Sequence, residues 1–207
     1  MTDLPDLPDL PEPPPPPPDA LPVAYPGLQG LSWVTPNELR LLTQSVVAGD
    51  RVLEVGTAAG VTAARLADEA APGLLVCVDT FVYRADPHRA DSDAERWAKW
   101  RANARPCMRL WYGDLGSFAA VAAPAAFDVA LVDADHTLPG VLSDLVLAAR
   151  LVRPGGLLLA HDYGDPNWPD VTAAVDHFAR TFGHALVERV GSLVVLRARE
   201  ERPWPYR

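Results

Sequence analysis

Residues 51–67 read RVLEVGTAAGVTAARLA, and the fold turns on them. The run "RVLEV" is almost continuously apolar, too short for a buried helix and ended by glycine, as a parallel strand covered on both faces should be. Gly56 and Gly60 then punctuate a tight loop, and the chain resumes with helical spacing through "VTAARLA". A strand that turns through glycines directly into a helix opens a βα unit. The pattern repeats: apolar runs at 74–79 (LLVCVD), 108–114 (MRLWYGD), 127–133 (FDVALVD) and 156–162 (GLLLAHD) alternate with helical stretches at 92–104, 115–123 and 138–152. Such alternation predicts a doubly wound α/β fold. After a further helix at 170–182, "HALVERVGSLVVLRAR" (184–199) offers two β-rich runs separated by Gly191 and Ser192. These are expected to close a seven-stranded, mostly parallel sheet with an antiparallel C-terminal hairpin.

The 207 residues, 49% of them hydrophobic, suit one domain with a sizeable core. A formal net charge of −9 leaves no basic surface for phosphates, so nucleic acid and anionic membranes are not expected partners. Lys99 is the sole lysine, which excludes lysine chemistry anywhere else. Cys77 and Cys107 are too few for a disulfide framework or a thiolate zinc cluster, and a reduced cytoplasmic setting follows as the expectation. No long apolar span or secretion signal is visible. Residues 1–22, with three Asp-Leu-Pro triplets and a proline run, read as an extended tail, either a solvated arm or a ligand for a proline-recognising groove. Residues 23–207 read as the folded domain. Its entry helix carries Thr35, Pro36 and Glu38 in the order of a capping box.

In a sheet of this kind ligands sit beyond the carboxyl ends of the parallel strands. All five apolar runs end in acids there: Glu54 beside Gly56, then Asp79, Asp114, Asp133 and Asp162. The loop does not carry a dinucleotide fingerprint, which would need glycine where Ala58 and Val61 stand.

Glu54-x-Gly56-x-x-x-Gly60, with an acid ending the second strand, resembles motif I and its ribose-binding partner in the class I S-adenosylmethionine-dependent methyltransferases, a Rossmann-like family. The resemblance covers residues 31–199. It implies that Glu54, Gly56, Thr57 and Gly60 form the cofactor loop, and that Asp79, with Thr80, meets the ribose hydroxyls. It further implies that Gly113 and Asp114 flank the adenine and that Asp133 faces the bound cofactor. Asp114 has a second reading, as the N-cap of the helix that follows it.

The pair "VDADH" and "HDY" is similar to the metal-dependent small-molecule O-methyltransferases of that family. By this resemblance Asp133 and Asp162 are ligands of a divalent cation, with His161 either a third ligand or, since successive strand residues face opposite sides, pointing into the sheet instead. Carboxylate oxygens completed by water suit Mg²⁺. His136 stands where the catechol-type enzymes keep a lysine, so the chain resembles the Asp-x-x-His branch, which acts on sugars and other natural-product hydroxyls. An imidazole kept neutral by a neighbouring dication would serve as general base at pH 7. Asp135 has three readings, a place behind the ligands, a partner that orients His136, or the cap of the helix that Pro139 begins, of which the cap is preferred, and His177 and His184 read as surface residues. Tyr83, Arg84, His88 and Arg89, on a long rim loop, with Tyr163, Trp168 and Trp33, are candidate acceptor walls. The family resemblance also implies a homodimer. Two alternatives stand beside this reading: a metal-independent methyltransferase with the same nucleotide site, and a noncatalytic module that only binds S-adenosylmethionine.

Overall fold

A computed structural model describes residues 22–82 and 92–199. Most of the tail and the acceptor-loop residues Tyr83, Arg84, His88 and Arg89 lie outside the described residues. The chain runs α1 (Pro36–Gln44), β1 (Arg51–Val55), α2 (Val61–Ala70), β2 (Leu74–Asp79), α3 (Asp93–Asn103), β3 (Met108–Tyr112), α4 (Leu115–Val121), β4 (Phe127–Val132), α5 (Leu138–Leu151), β5 (Val152–Ala160), α6 (Pro169–Phe182), β6 (Ala185–Val190) and β7 (Leu193–Arg197). The strands form one sheet in the order β3-β2-β1-β4-β5-β7-β6. β1 to β5 are parallel, and β7 runs antiparallel between β5 and β6. The doubly wound, mostly parallel sheet with its closing hairpin is therefore observed.

Period-two alternation builds two cores from the same strands. Leu53 and Val55 of β1, Val76 and Val78 of β2, Ala130 and Val132 of β4, and Leu158 and Ala160 of β5 pack with Leu145 of α5 and Phe178 of α6. The intervening Val52, Leu75, Cys77, Val129, Leu131 and Leu159 pack on the other face with Leu42 of α1, Leu66 of α2 and Trp100 of α3. Both faces are buried, which is why the strands read as unbroken apolar runs.

β3, β4 and β5 stop one or two residues before their polar ends, because the chain must turn there toward the next helix. One further backbone hydrogen bond still pins each rim residue to the neighbouring strand. Gly113 N donates to Asp79 O, Gly56 N to Val78 O, Asp133 N to Val55 O and His161 N to Val132 O, at 2.9–3.1 Å. The strand order reverses direction at β1, between β2 and β4, so these pinned ends converge on the switch point. Among the described residues no helix is long and apolar enough to cross a membrane.

Candidate active site

The glycine loop is shaped by close approach. Gly56 has φ +87, and a Cβ there would lie 1.9 Å from the Asp133 carbonyl oxygen, so β1 and β4 can leave the sheet side by side only with glycine at this position. At Gly60, φ +71, a Cβ would meet the Trp100 ring at 2.7 Å. Trp100, which the sequence reading passed over, is thus the floor under the loop. Between the glycines Ala58 also takes a positive φ of 46, and its N–H donates to Asp79 Oδ2 at 2.7 Å. Asp79 Oδ1 accepts from Phe81 N at 2.6 Å, so this aspartate braces the loop on which Gly56 and Gly60 sit. Thr80 Oγ1 accepts from Val82 N at 3.3 Å.

Glu54 and Thr57 are buried, and among the described residues Glu54 Oε2 and Thr57 Oγ1 find no hydrogen-bond partner. Burial pushes the Glu54 carboxyl up to about 7, a rise aided by Asp133 and opposed by Thr57. On α5, burial and the charges of Asp135 and Asp114 also raise Asp144 to about 7. An acid whose folded pKa lies above its unfolded value binds protons on folding, so the stability it lends is complete below its ordinary pKa, 4.5 for Glu54 and 3.8 for Asp144, and is lost as the pH rises through about 7. Glu54→Gln and Asp144→Asn should each melt higher than wild type at pH 8, with the difference shrinking toward pH 5. Thermal melts of the ligand-free protein across that range check it, and pH-independent differences would remove the assignment.

The structure makes the cap that was one of two readings for Asp114: its Oδ1 accepts from Ser117 N at 2.7 Å, at the start of α4. Gly113 lies just before it, packed against the Trp111 indole and the Ser117 hydroxyl. Asp135 is not the cap of α5. Thr137 caps that helix through Gly140 N, and Asp135 instead accepts from Thr137 N at 2.7 Å, because the chain needs one more residue of turn before Leu138. His184 is also corrected: it is buried and stacks on Phe178 at 4.6 Å, since the left-handed Gly183 that ends α6 turns it back over the helix. His177 is exposed.

The ends of β4 and β5 bring the remaining candidates together. His136 Nε2 lies 2.8 Å from Asp162 Oδ2. Asp133, His136 and Asp162, all half-buried, each present a donor atom within 4.8 Å of the others'. Two oxygen donors and one imidazole nitrogen in a partly open setting fit a divalent cation of the Mg²⁺ or Mn²⁺ kind. His161 stands outside that trio and below it. It is buried, with Nδ1 3.2 Å from Asp162 Oδ1 and 3.7 Å from Asp133 Oδ1. Its opposite edge, Nε2, lies 3.3 Å from Ser192 Oγ and 3.5 Å from Glu38 Oε2. The alternation that buries Leu159 toward α1 sends His161 the same way.

Asp162 occupies the left-handed region at φ +62, where aspartate and asparagine are the side chains best tolerated after glycine. Burial raises its carboxyl, but His136 and His161 outweigh that and hold it well below the usual range. Burial lowers His136, yet the hydrogen bond to Asp162 and the charges of Asp162 and Asp133 leave it raised. The protein's own side chains thus pull His136 opposite to the direction expected beside a dication. His161 is likewise held above its ordinary value by Asp133, Asp162 and Glu38 against burial. Over the site, the Trp168 ring lies 4.3 Å from that of His136 and remains 42% exposed. Tyr163, one residue beyond Asp162, turns aside to donate to Asp176 Oδ1 at 2.9 Å. Trp33, in the segment leading to α1, is exposed.

Residues 53–163 match the model of a family described as a methyltransferase domain, more than half of the chain and all five of the strand-end acids. No curated protein matches the chain. Solved structures of similar fold include a cofactor-bound Rv0187 from MTB, 20% identical over 81% of this chain and 82% of that one with a TM-score of 0.59. A putative O-methyltransferase from Klebsiella pneumoniae is 22% identical over 80% and 81% with a TM-score of 0.55, and the O-methyltransferase NovP is 17% identical over 81% and 82% with a TM-score of 0.60. With a glycine loop at the sheet's switch point and acids ending the strands around it, the chain belongs to the methyltransferase-domain family and is an S-adenosylmethionine-dependent methyltransferase.

Proposed function

We propose that the protein transfers a methyl group from S-adenosylmethionine to a hydroxyl of a small molecule, a sugar or another natural product, and that a divalent cation assists. The observation that carries this reading is the convergence of Asp133, His136 and Asp162 from two strand ends at one side of the glycine loop. The loop residues Glu54, Gly56, Thr57 and Gly60, with Asp79, Thr80, Gly113 and Asp114, hold the cofactor in this reading. Asp133 and Asp162 hold the cation, which when bound makes a substrate hydroxyl more acidic and fixes its oxygen in place.

With Nε2–H donated to Asp162, the His136 imidazole carries its lone pair on Nδ1, the atom that accepts the hydroxyl proton. The oxygen then attacks the sulfonium methyl: the O–CH₃ bond forms, the S–CH₃ bond breaks, and its electron pair stays on sulfur as S-adenosylhomocysteine leaves. Asp162 orients the imidazole, and the Trp168 face restricts where an acceptor ring can lie. The acidity of the whole chain suits a small-molecule acceptor better than a nucleic acid.

The short His136–Asp162 contact also supports a second reading, in which His136 is itself a ligand of the cation and the proton leaves by another route. Two measurements test these readings, the first for the cation and the second for the role of His136. Stripping the protein with a chelator is expected to lower methyl transfer across a panel of sugar and phenolic hydroxyls by at least about a hundredfold, with recovery on adding Mg²⁺ or Mn²⁺ and no change in S-adenosylhomocysteine affinity. His136→Ala should retain Mg²⁺ binding and lose turnover if it is the base, and lose both if it is a ligand. Full activity in chelator would leave a metal-independent methyltransferase.

A further inference from the structure

We infer that Glu38, on α1 and outside the matched methyltransferase segment, is a positioning residue that sets Asp133 and Asp162 through His161. This rests on the reading of those two aspartates as a cation site. A capping box needs its glutamate only to reach back to the N-cap N–H, and Glu38 does so, with Thr35 N 2.8 Å from Oε2. The same motif recurs at the start of α3, where Glu95 caps Ser92 and is exposed to solvent. Glu38, in contrast, is 2% exposed, and a carboxylate is taken out of water only when it has partners.

Those partners lie far along the chain, on the same side of the sheet as α1. Glu38 Oε1 accepts from Ser192 N at 2.7 Å and from Ser192 Oγ at 2.9 Å, in the turn between β6 and β7. The Ser192 hydroxyl and Glu38 Oε2 together face His161 Nε2, while Nδ1 on the opposite edge faces Asp162 and Asp133. An imidazole gripped along one edge presents its other edge in a fixed direction. Its place between one buried carboxylate and two rim carboxylates is that of the outer partners that orient metal-binding side chains. The His161 end of the chain of contacts lies inside the matched segment, and the Glu38 and Ser192 end lies outside it.

Glu38→Gln is the variant of choice, because glutamine keeps the length of the side chain and one acceptor oxygen, for either Thr35 N or the Ser192 pair, while it removes the charge facing His161. Free Mn²⁺ measured by electron paramagnetic resonance should show its affinity about tenfold lower than in wild type, with S-adenosylhomocysteine affinity by calorimetry unchanged within about twofold. In a His161→Gln background the same substitution should change Mn²⁺ affinity little, since both act through one ring. Unchanged Mn²⁺ affinity in Glu38→Gln, or losses that add across the two variants, would overturn the inference and leave Glu38 a structural cap. If wild type binds no Mn²⁺, the cation reading itself fails, an outcome separate from either of these. Should Glu38→Gln not fold, Ser192→Ala carries the test by removing the hydroxyl that bridges Glu38 and His161: weaker Mn²⁺ binding with intact cofactor binding supports the inference, and unaltered Mn²⁺ binding overturns it.

Discussion

Asp162→Asn is expected to fold, to bind S-adenosylhomocysteine as wild type does, and to lose both divalent-cation affinity and turnover by at least about a hundredfold, the upper end of losses seen when even an outer partner of a metal ligand is removed. The substitution isolates charge from shape. Asparagine shares aspartate's tolerance of the left-handed region in which residue 162 sits at φ +62, so the backbone has no reason to move. The carboxylate itself cannot be replaced. One of its oxygens lies 2.8 Å from His136 and the other 3.2 Å from His161, so the amide must place an NH₂ group against one of the two rings. Whether His136 serves as base or as ligand, it loses the anion that orients it, and on the proposed reading a bound cation would lose one of two carboxylates. Calorimetric titration of Mg²⁺ together with single-turnover methyl transfer checks the result; activity within a few-fold of wild type would sink both readings of the site. Asp162→Ala is the harsher control, since alanine at a left-handed position adds roughly 1–2 kcal/mol of strain to the chemical loss.

Gly56→Ala should be the most damaging single methyl group in the protein. Left-handed backbone costs alanine roughly 1–2 kcal/mol. The added carbon would also sit 1.9 Å from the Asp133 carbonyl oxygen and 2.8 Å from Ala134 Cα, backbone atoms that cannot rotate away. Relief requires β1 and β4 to separate where Asp133 N donates to Val55 O, and forced overpacking of this kind costs about 1–3 kcal/mol more. A combined loss of about 3 kcal/mol or above corresponds to a melting temperature lower by roughly 10 °C in a chain of this size. Because the displaced atoms belong to the glycine loop and to Asp133, cofactor affinity should fall with it. Gly49→Ala is the matched control: Gly49 has φ +93 but no atom of the described residues within 4 Å of a built Cβ, so it should show only the strain. Equal melting temperatures for the two variants would contradict the crowding argument.

Much of the fold was legible because its signals are local. Continuous apolar runs of strand length, glycines at fixed intervals and Thr35-Pro36-Glu38 each act within a few residues, and the sheet, the loop and the α1 cap appear where those signals stand. Local signals also misled where two neighbours compete for one role. Asp135 and Thr137 are equally good caps by type, and the turn geometry that favours Thr137 is fixed only by where β4 ends. His184 has a polar ring and a helix-end position, and nothing nearby in sequence indicates that it will stack on Phe178. Glu38 was accounted for by its cap, which concealed that its second oxygen reaches a serine 154 positions away.

The sequence by itself determined the alternation of strands and helices, the position of the glycine loop and the row of acids at the strand ends, since each follows from periodicity or from backbone freedom at a single residue. Only the tertiary structure decided which acids share a site. Parallel strands bring residues from distant parts of the chain to one edge, so the 26 positions between His136 and Asp162 become 2.8 Å. The same alternation that separates two cores sent His161 beneath that edge, toward Glu38, where a side chain's neighbours depend on which face of the sheet it takes.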